Sequence, residues 1–286
     1  MSAPPVPAVD DPARWTGPVR RFPMTVEEGA VVAFRRAVGA PTTLDVPSTF
    51  AVVADAWDPD FARRPPPGRG WGDELPETLL HVEQWFEHGP PLVVGERVAV
   101  HRGSGRRWTR QGRSGALEFV EERTELVGAD GVVRVATGWV DVRTEAAHRD
   151  LSAGTARAEP RAEVPPRPDE VVLVEDLAPT QLVAYVGITG DLHPLHHDRA
   201  LAQRLGYPDV FAPGMFTMAV AARAVTGRLG ATGIGRLRSR FRAQFWPGDT
   251  LVASITDGPE GAVDVRTRNQ FDDTVLETTA EPSPPR

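Results

Sequence analysis

The chain contains no cysteine and no lysine, so all 32 of its basic side chains are arginine. The first absence excludes disulfides, thiolate metal sites and cysteine nucleophiles. The second excludes Schiff-base chemistry and any phosphate loop built on lysine. No apolar run approaches the ~20 residues that span a bilayer. The opening MSAPPVPAVDDPARW has no basic segment followed by an apolar one, so a secretory leader is not expected. An excess of positive charge is missing as well. The net charge of -7 gives no general pull toward nucleic acid or anionic lipid. These absences describe a cytoplasmic protein with neither a nucleic-acid nor a membrane partner, and with a flexible tail over residues 1–16.

What is present is enough apolar material for one large core or two ordinary ones: 286 residues, 41% hydrophobic. The 28 prolines and 27 glycines imply many loops or an extended connection, not wholesale disorder. Prolines gather in EPRAEVPPRPD, residues 159–169, which can form neither a helix nor a central strand. A linker over 159–168 divides the chain into halves of ordinary domain size, 17–158 and 169–286.

The halves echo each other. VVAFRRAVGAP (31–41) aligns with LVAYVGITGDL (182–192), setting Phe34 against Tyr185 and Gly39 against Gly190. PLVVGERVAV (91–100) shares the pattern of FWPGDTLVASI (245–255), a Gly-acid turn followed by an alternating strand. Strand-like runs follow in each half: ALEFVEERTEL and VVRVATGWVDVR, then AVDVRTRNQF and TVLETTAE. PGMFTMAVAARAVTGRLG (213–230) reads as a helix apolar over most of its circumference, hence buried. A buried helix followed by antiparallel strands implies an α+β arrangement in each half, a curved sheet wrapped round a helix.

The densest chemistry lies in GDLHPLHHD, residues 190–198. As a metal site it is poor, because Pro194 interrupts the helical spacing that paired histidine ligands use. As a capping turn it accounts for Asp198 at the start of DRALAQRLG, but not for the residues before it. As an acid–base pair it makes sense: Asp191 and His196, five residues apart on a Gly/Pro turn, can face one small volume. Leu192 and Leu195 would pin the turn against a core and exclude bulk water.

YVGITGDLHPLHHD (185–198) resembles the active-site motif of the MaoC-like hydratases, aromatic…small-Gly-Asp-x-Asn-Pro-aliphatic-His. Asp191, Pro194, Leu195 and His196 match it, and Gly214 stands where that family has the glycine opening its central hot-dog helix. The resemblance extends through FWPGDTL (245–251) and, in the first half, LHVEQWFEHGPPLVVGERV (80–98). It implies a double hot-dog fold of two helix-wrapped antiparallel sheets, and reversible addition of water to a trans-2-enoyl thioester. Asp191 and His196 would share the acid and base roles. Pro213, Gly214 and Met215 would bind substrate, with the Gly214 N–H on the thioester oxygen. The substrate would be an acyl-CoA or acyl-carrier-protein thioester, with no metal and no cofactor, and the protein a homodimer. Two positions depart from the family pattern. Its asparagine is His193 here, which as a neutral ring can donate one hydrogen bond, and its histidine before the helix glycine is Pro213. In the first half the aligned positions are Ala40 and Asp45, so one site is expected, with the first half shaping the acyl pocket or acting as half of a pseudo-dimer. A hot-dog thioesterase and a non-catalytic acyl-binding subunit are the competing readings.

Arg236, Arg238, Arg240 and Arg242 alternate with Leu237, Ser239 and Phe241, placing four guanidinium groups on one strand face. They read either as a phosphate-binding strip or, the preferred reading, as a solvated sheet face.

Overall fold

The structure, a computed structural model, describes residues 11–61, 65, 80–112, 115–143, 161–230 and 232–284. The first half supplies strands β1 (Val19–Thr25), β2 (Leu80–His88), β3 (Arg97–Gly112), β4 (Gly115–Val127) and β5 (Val133–Arg143). The second supplies β6 (Glu170–Val174), β7 (Ile234–Phe241), β8 (Leu251–Asp257), β9 (Val263–Arg268) and β10 (Thr274–Pro282). The four strand-like runs of the sequence fall in β4, β5, β9 and β10. Every pairing is antiparallel, within one ten-stranded sheet of order β1-β3-β4-β5-β2-β7-β10-β9-β8-β6. The halves share one internal order, β1-β3-β4-β5-β2 and β6-β8-β9-β10-β7, and meet at the β2–β7 seam, where Trp85 lies opposite Arg238. The two expected sheets are thus fused edge to edge, which removes the unpaired edge each would otherwise present.

The echoes in the sequence are echoes in space. Gly95 N–H donates to Val26 O (2.8 Å) while Val26 N–H donates to Glu96 O (2.9 Å). In the second half Gly248 pairs with Leu177 (3.0 Å), and Leu177 with Asp249 (2.9 Å), in the same manner. Phe34 and Tyr185 pack against each other with ring centroids 5.7 Å apart. They lie on α1 (Glu28–Ala37) and α3 (Pro179–Thr189), the early helices of the two halves.

The halves differ in what covers their inner faces. In the second, α5 (Gly214–Leu229) buries Phe216, Met218, Val220, Ala221 and Val225 completely, which explains its nearly uniform apolar circumference. Each large side chain so buried contributes about 1.5–3 kcal/mol. No long helix covers the first-half sheet among the described residues. A short run there, a 3-10 turn at Phe50–Val53 and α2 (Ala54–Trp57), leaves a cavity beside it. The architecture is α+β, a double hot-dog.

Residues 161–168 are extended and strapped to the second half. Val164 N–H donates to Gln270 O (2.7 Å), and Arg161 bonds Asp273 (2.7 Å). Residues 11–16 belong to no loose tail: Arg14 reaches Glu125 (2.8 Å) and Thr16 N–H donates to Ser104 O (2.9 Å). Residues 1–10, 159 and 160 lie outside the described residues.

The arginine ladder is matched by glutamates. Arg236 pairs with Glu87 (2.8 Å), Arg238 and Arg240 with Glu83 (2.7 and 3.4 Å), and Arg242 with Glu277 (2.5 Å). Cross-strand partners on β2 and β10 neutralise the strip, as the solvated-face reading expects.

Candidate active site

Helix α3 ends at Gly190, whose φ of 77° and ψ of 4° lie in the left-handed region that favours glycine. A Cβ there would stand 2.7 Å from the Ala56 Cα of α2, so the turn is pressed against the first half. Asp191 follows directly. The chain then closes a single 3-10 turn at Pro194–His196, with His196 N–H donating to His193 O (3.0 Å). Leu195 is buried in the core and anchors this turn; Leu192 is only half-buried. His197 is exposed, its Nε2 3.0 Å from Leu192 O, and Asp198 caps α4 (Arg199–Arg204) by accepting from Leu201 N–H (3.0 Å).

The hydrogen bonds of the two buried histidines set their tautomers. His196 Nδ1 lies 2.8 Å from Phe211 O. A carbonyl only accepts, so Nδ1 carries the proton and the neutral ring presents Nε2 as an acceptor. His193 has the opposite arrangement: its Nδ1 accepts the Leu195 N–H (3.3 Å), so the ring proton sits on Nε2. The two rings are 5.8 Å apart. Phe211 also stacks edge-on against His196 (5.4 Å) and packs on Tyr207 and Trp246.

Asp191, His193, Leu195, His196, Tyr207 and Phe211 open onto one cavity of about 260 Å³. Asp191, His193 and His196 line it together with Pro213, Gly214 and Met215, so the structure brings every expected site residue to the same space. Pro213 is the N-cap of α5 rather than its first residue, and the first N–H groups of the helix have no acceptor within it. A Cβ on Gly214 would approach the Phe241 ring to 3.0 Å, so a larger residue would push this end of the helix off the cavity wall. The opening N–H groups of Gly214 and Met215, with the helix dipole, make this the electropositive end of the pocket.

The first half contributes wall residues that no local motif marks: Asp55, His81, Gln84, Arg102, Thr124 and Thr137. Arg102 is fully buried, bonded to Asp55 and to Asp58 (2.9 Å), and framed by the Phe22, Phe61 and Trp139 rings. Burial raises the carboxyl pKa of nearby Glu122, though Arg102 opposes it. Burial also raises the Tyr185 hydroxyl well above its ordinary value, helped by the charges of Asp191 and Asp55. Asp55 and Arg102 are 47 positions apart and became neighbours through the fold alone.

Residues 156–280 match the MaoC like domain family, and residues 14–137 match the FAS1-like dehydratase domain region. The 3-hydroxyacyl-thioester dehydratase Y of Mycobacterium tuberculosis is 30% identical over 211 residues, covering 67% of this chain and 66% of that protein. The chain belongs to the MaoC-like dehydratase family. This MaoC-like chain spans less than two thirds of that relative's length, and half that of dehydratase X from the same organism, at 26% identity. The crystal structure of HtdX from Mycobacterium tuberculosis superimposes with a TM-score of 0.68 at 19% identity, covering 92% of this chain and all of that one. A second Mycobacterium tuberculosis protein, described as having a double hot-dog fold, superimposes with a TM-score of 0.58 at 13% identity, covering 93% of this chain and 95% of its own. No helix among the described residues of the MaoC-like chain is long and apolar enough to cross a membrane.

Proposed function

We propose that the protein adds water reversibly to trans-2-enoyl thioesters, giving (3R)-hydroxyacyl thioesters, on acyl groups carried by coenzyme A or a carrier protein. The observation that carries this reading is the convergence on one cavity of Asp191, the Nε2 side of His196 and the N-terminus of α5. With the thioester carbonyl on the Gly214 N–H, Asp191 orients the water. His196 Nε2 takes its proton while the water oxygen bonds C3. The π electrons move to an enolate oxygen stabilised by the helix terminus. The imidazolium then returns the proton to C2 on the same face, and dehydration is the reverse. His193 donates from Nε2 toward water or thioester, the part that an asparagine plays in the family motif.

Incubation with crotonyl-CoA tests the proposal, following enone absorbance and free thiol together. Loss of absorbance without thiol release supports hydration. Thiol release would replace it with hydrolysis, and no change in either signal would leave an acyl-binding role.

A further inference from the structure

The cavity has an apolar end and a polar one. Where the first-half sheet forms its wall, Arg102, Thr124 and Thr137 lie in one row across β3, β4 and β5, each opposite the next. Gln84 on β2 reaches the row with its Nε2 2.6 Å from Thr137 Oγ1. Gln84, Arg102 and Thr124 are each 1% exposed.

The hydrogen bonds orient these groups unambiguously. The Thr137 hydroxyl donates to Trp85 O (2.7 Å), so toward Gln84 it can only accept. That points the Gln84 amide nitrogen at Thr137 and leaves Oε1 as an acceptor with no partner among the described residues. Thr124 Oγ1 accepts from Arg102 Nε (3.0 Å), which leaves its O–H as a donor. Arg102 is committed to Asp55 and Asp58. Thr124 and Thr137 are directly opposed cross-strand neighbours, about 5 Å apart. An acceptor and a donor therefore stand within reach of a single small group.

We propose that this compartment receives a hydroxyl group on the acyl chain. The preferred substrate is then an enoyl thioester hydroxylated beyond the reacting double bond, its O–H donating to Gln84 Oε1 and its oxygen accepting from Thr124. A plain hydrocarbon chain would cover both groups and replace neither of the water contacts it displaced, which disfavours it. The substrate class named here rests on the hydration reading; the hydroxyl-binding compartment itself does not.

Calorimetric titration of the full chain tests it, with octanoyl-CoA and the 5-, 6-, 7- and 8-hydroxyoctanoyl-CoA series. At least one hydroxylated member should bind roughly tenfold more tightly than octanoyl-CoA, because a site built to hydrogen-bond a hydroxyl rejects the analogue lacking it. Gln84→Met should erase that preference, so that the hydroxylated members and octanoyl-CoA bind within about threefold of one another, since the swap keeps the shape and removes the acceptor. No hydroxylated member binding more tightly than octanoyl-CoA, or an undiminished preference in Gln84→Met, overturns the proposal. Should the variant fail to fold, the wild-type series decides alone. Crotonyl-CoA hydration on the same preparation tests the activity separately. Hydration without a hydroxyl preference sinks only the compartment, and preference without hydration sinks only the activity.

Discussion

The Nδ1 of His196 stands 2.8 Å from the carbonyl oxygen of Phe211, fifteen positions further along the chain. That bond sets which ring nitrogen faces the cavity and therefore what the ring can do. His196→Gln and Asp191→Asn should each lower hydration of an enoyl-CoA by about 10² to 10⁴, with circular dichroism and melting temperature close to wild type. Near-full turnover by either variant would remove that residue from the mechanism.

His193 replaces the asparagine of the family motif, and its Nδ1 is engaged by the Leu195 N–H. The ring proton then sits on Nε2, a donor that an asparagine amide can imitate. His193→Asn should therefore keep activity within roughly tenfold, whereas His193→Ala should lose more, having no donor at that place. Equal, wild-type-like rates for both variants would show that His193 has no part in the reaction.

Gly190 holds a left-handed conformation with Ala56 backbone where a Cβ would go. Gly190→Ala should cost at least about 1–2 kcal/mol for the conformation alone, seen as a lowered melting temperature. It should also lower kcat, since the strained residue precedes Asp191. An unchanged melting temperature with full activity would show that the contact between α2 and this turn is soft.

Glu170, at the start of β6, is held by Arg268 (2.5 Å) and Arg167 (2.8 Å), and the Arg268 hydrogen bond lowers its carboxyl from 4.5 to about 2. The folded state thus resists protonating a group that the unfolded chain protonates near 4.5. The stability this contributes is fully present above that value and is lost as pH falls from 4.5 toward 2. Glu170→Gln should lower the urea midpoint at pH 7, with the gap to wild type closing across that window. A gap that stays constant down to pH 2 would mean that the destabilisation is not electrostatic.

Much of this was legible in the residues. The alignment of Phe34 with Tyr185 and Gly39 with Gly190 placed α1 and α3, because a helix stop and a buried aromatic are local requirements. The apolar circumference of residues 213–230 marked a helix wrapped by sheet, since no surface helix tolerates it. Strand β6 and the first-half strands β1 and β2 carried weaker signals: β1 contains Pro23, and β6 is short with exposed valines. The expectation of a loose tail through residue 16 failed because composition does not show that Glu125, more than a hundred positions away, will bind Arg14.

Local sequence determined the turn that carries Asp191 and His196. The spacing of Asp191, Pro194 and His196 is short enough that a glycine stop and one 3-10 turn must present both side chains together. Tertiary structure alone decided the rest of the cavity. The fusion of ten strands into one sheet, the pairing of the arginine ladder with Glu83, Glu87 and Glu277, and the meeting of Asp55 with Arg102 all join residues far apart in the chain. Contacts of that kind leave no periodic trace, because each partner satisfies its charge or hydrogen bond only after the backbone has brought the other to it.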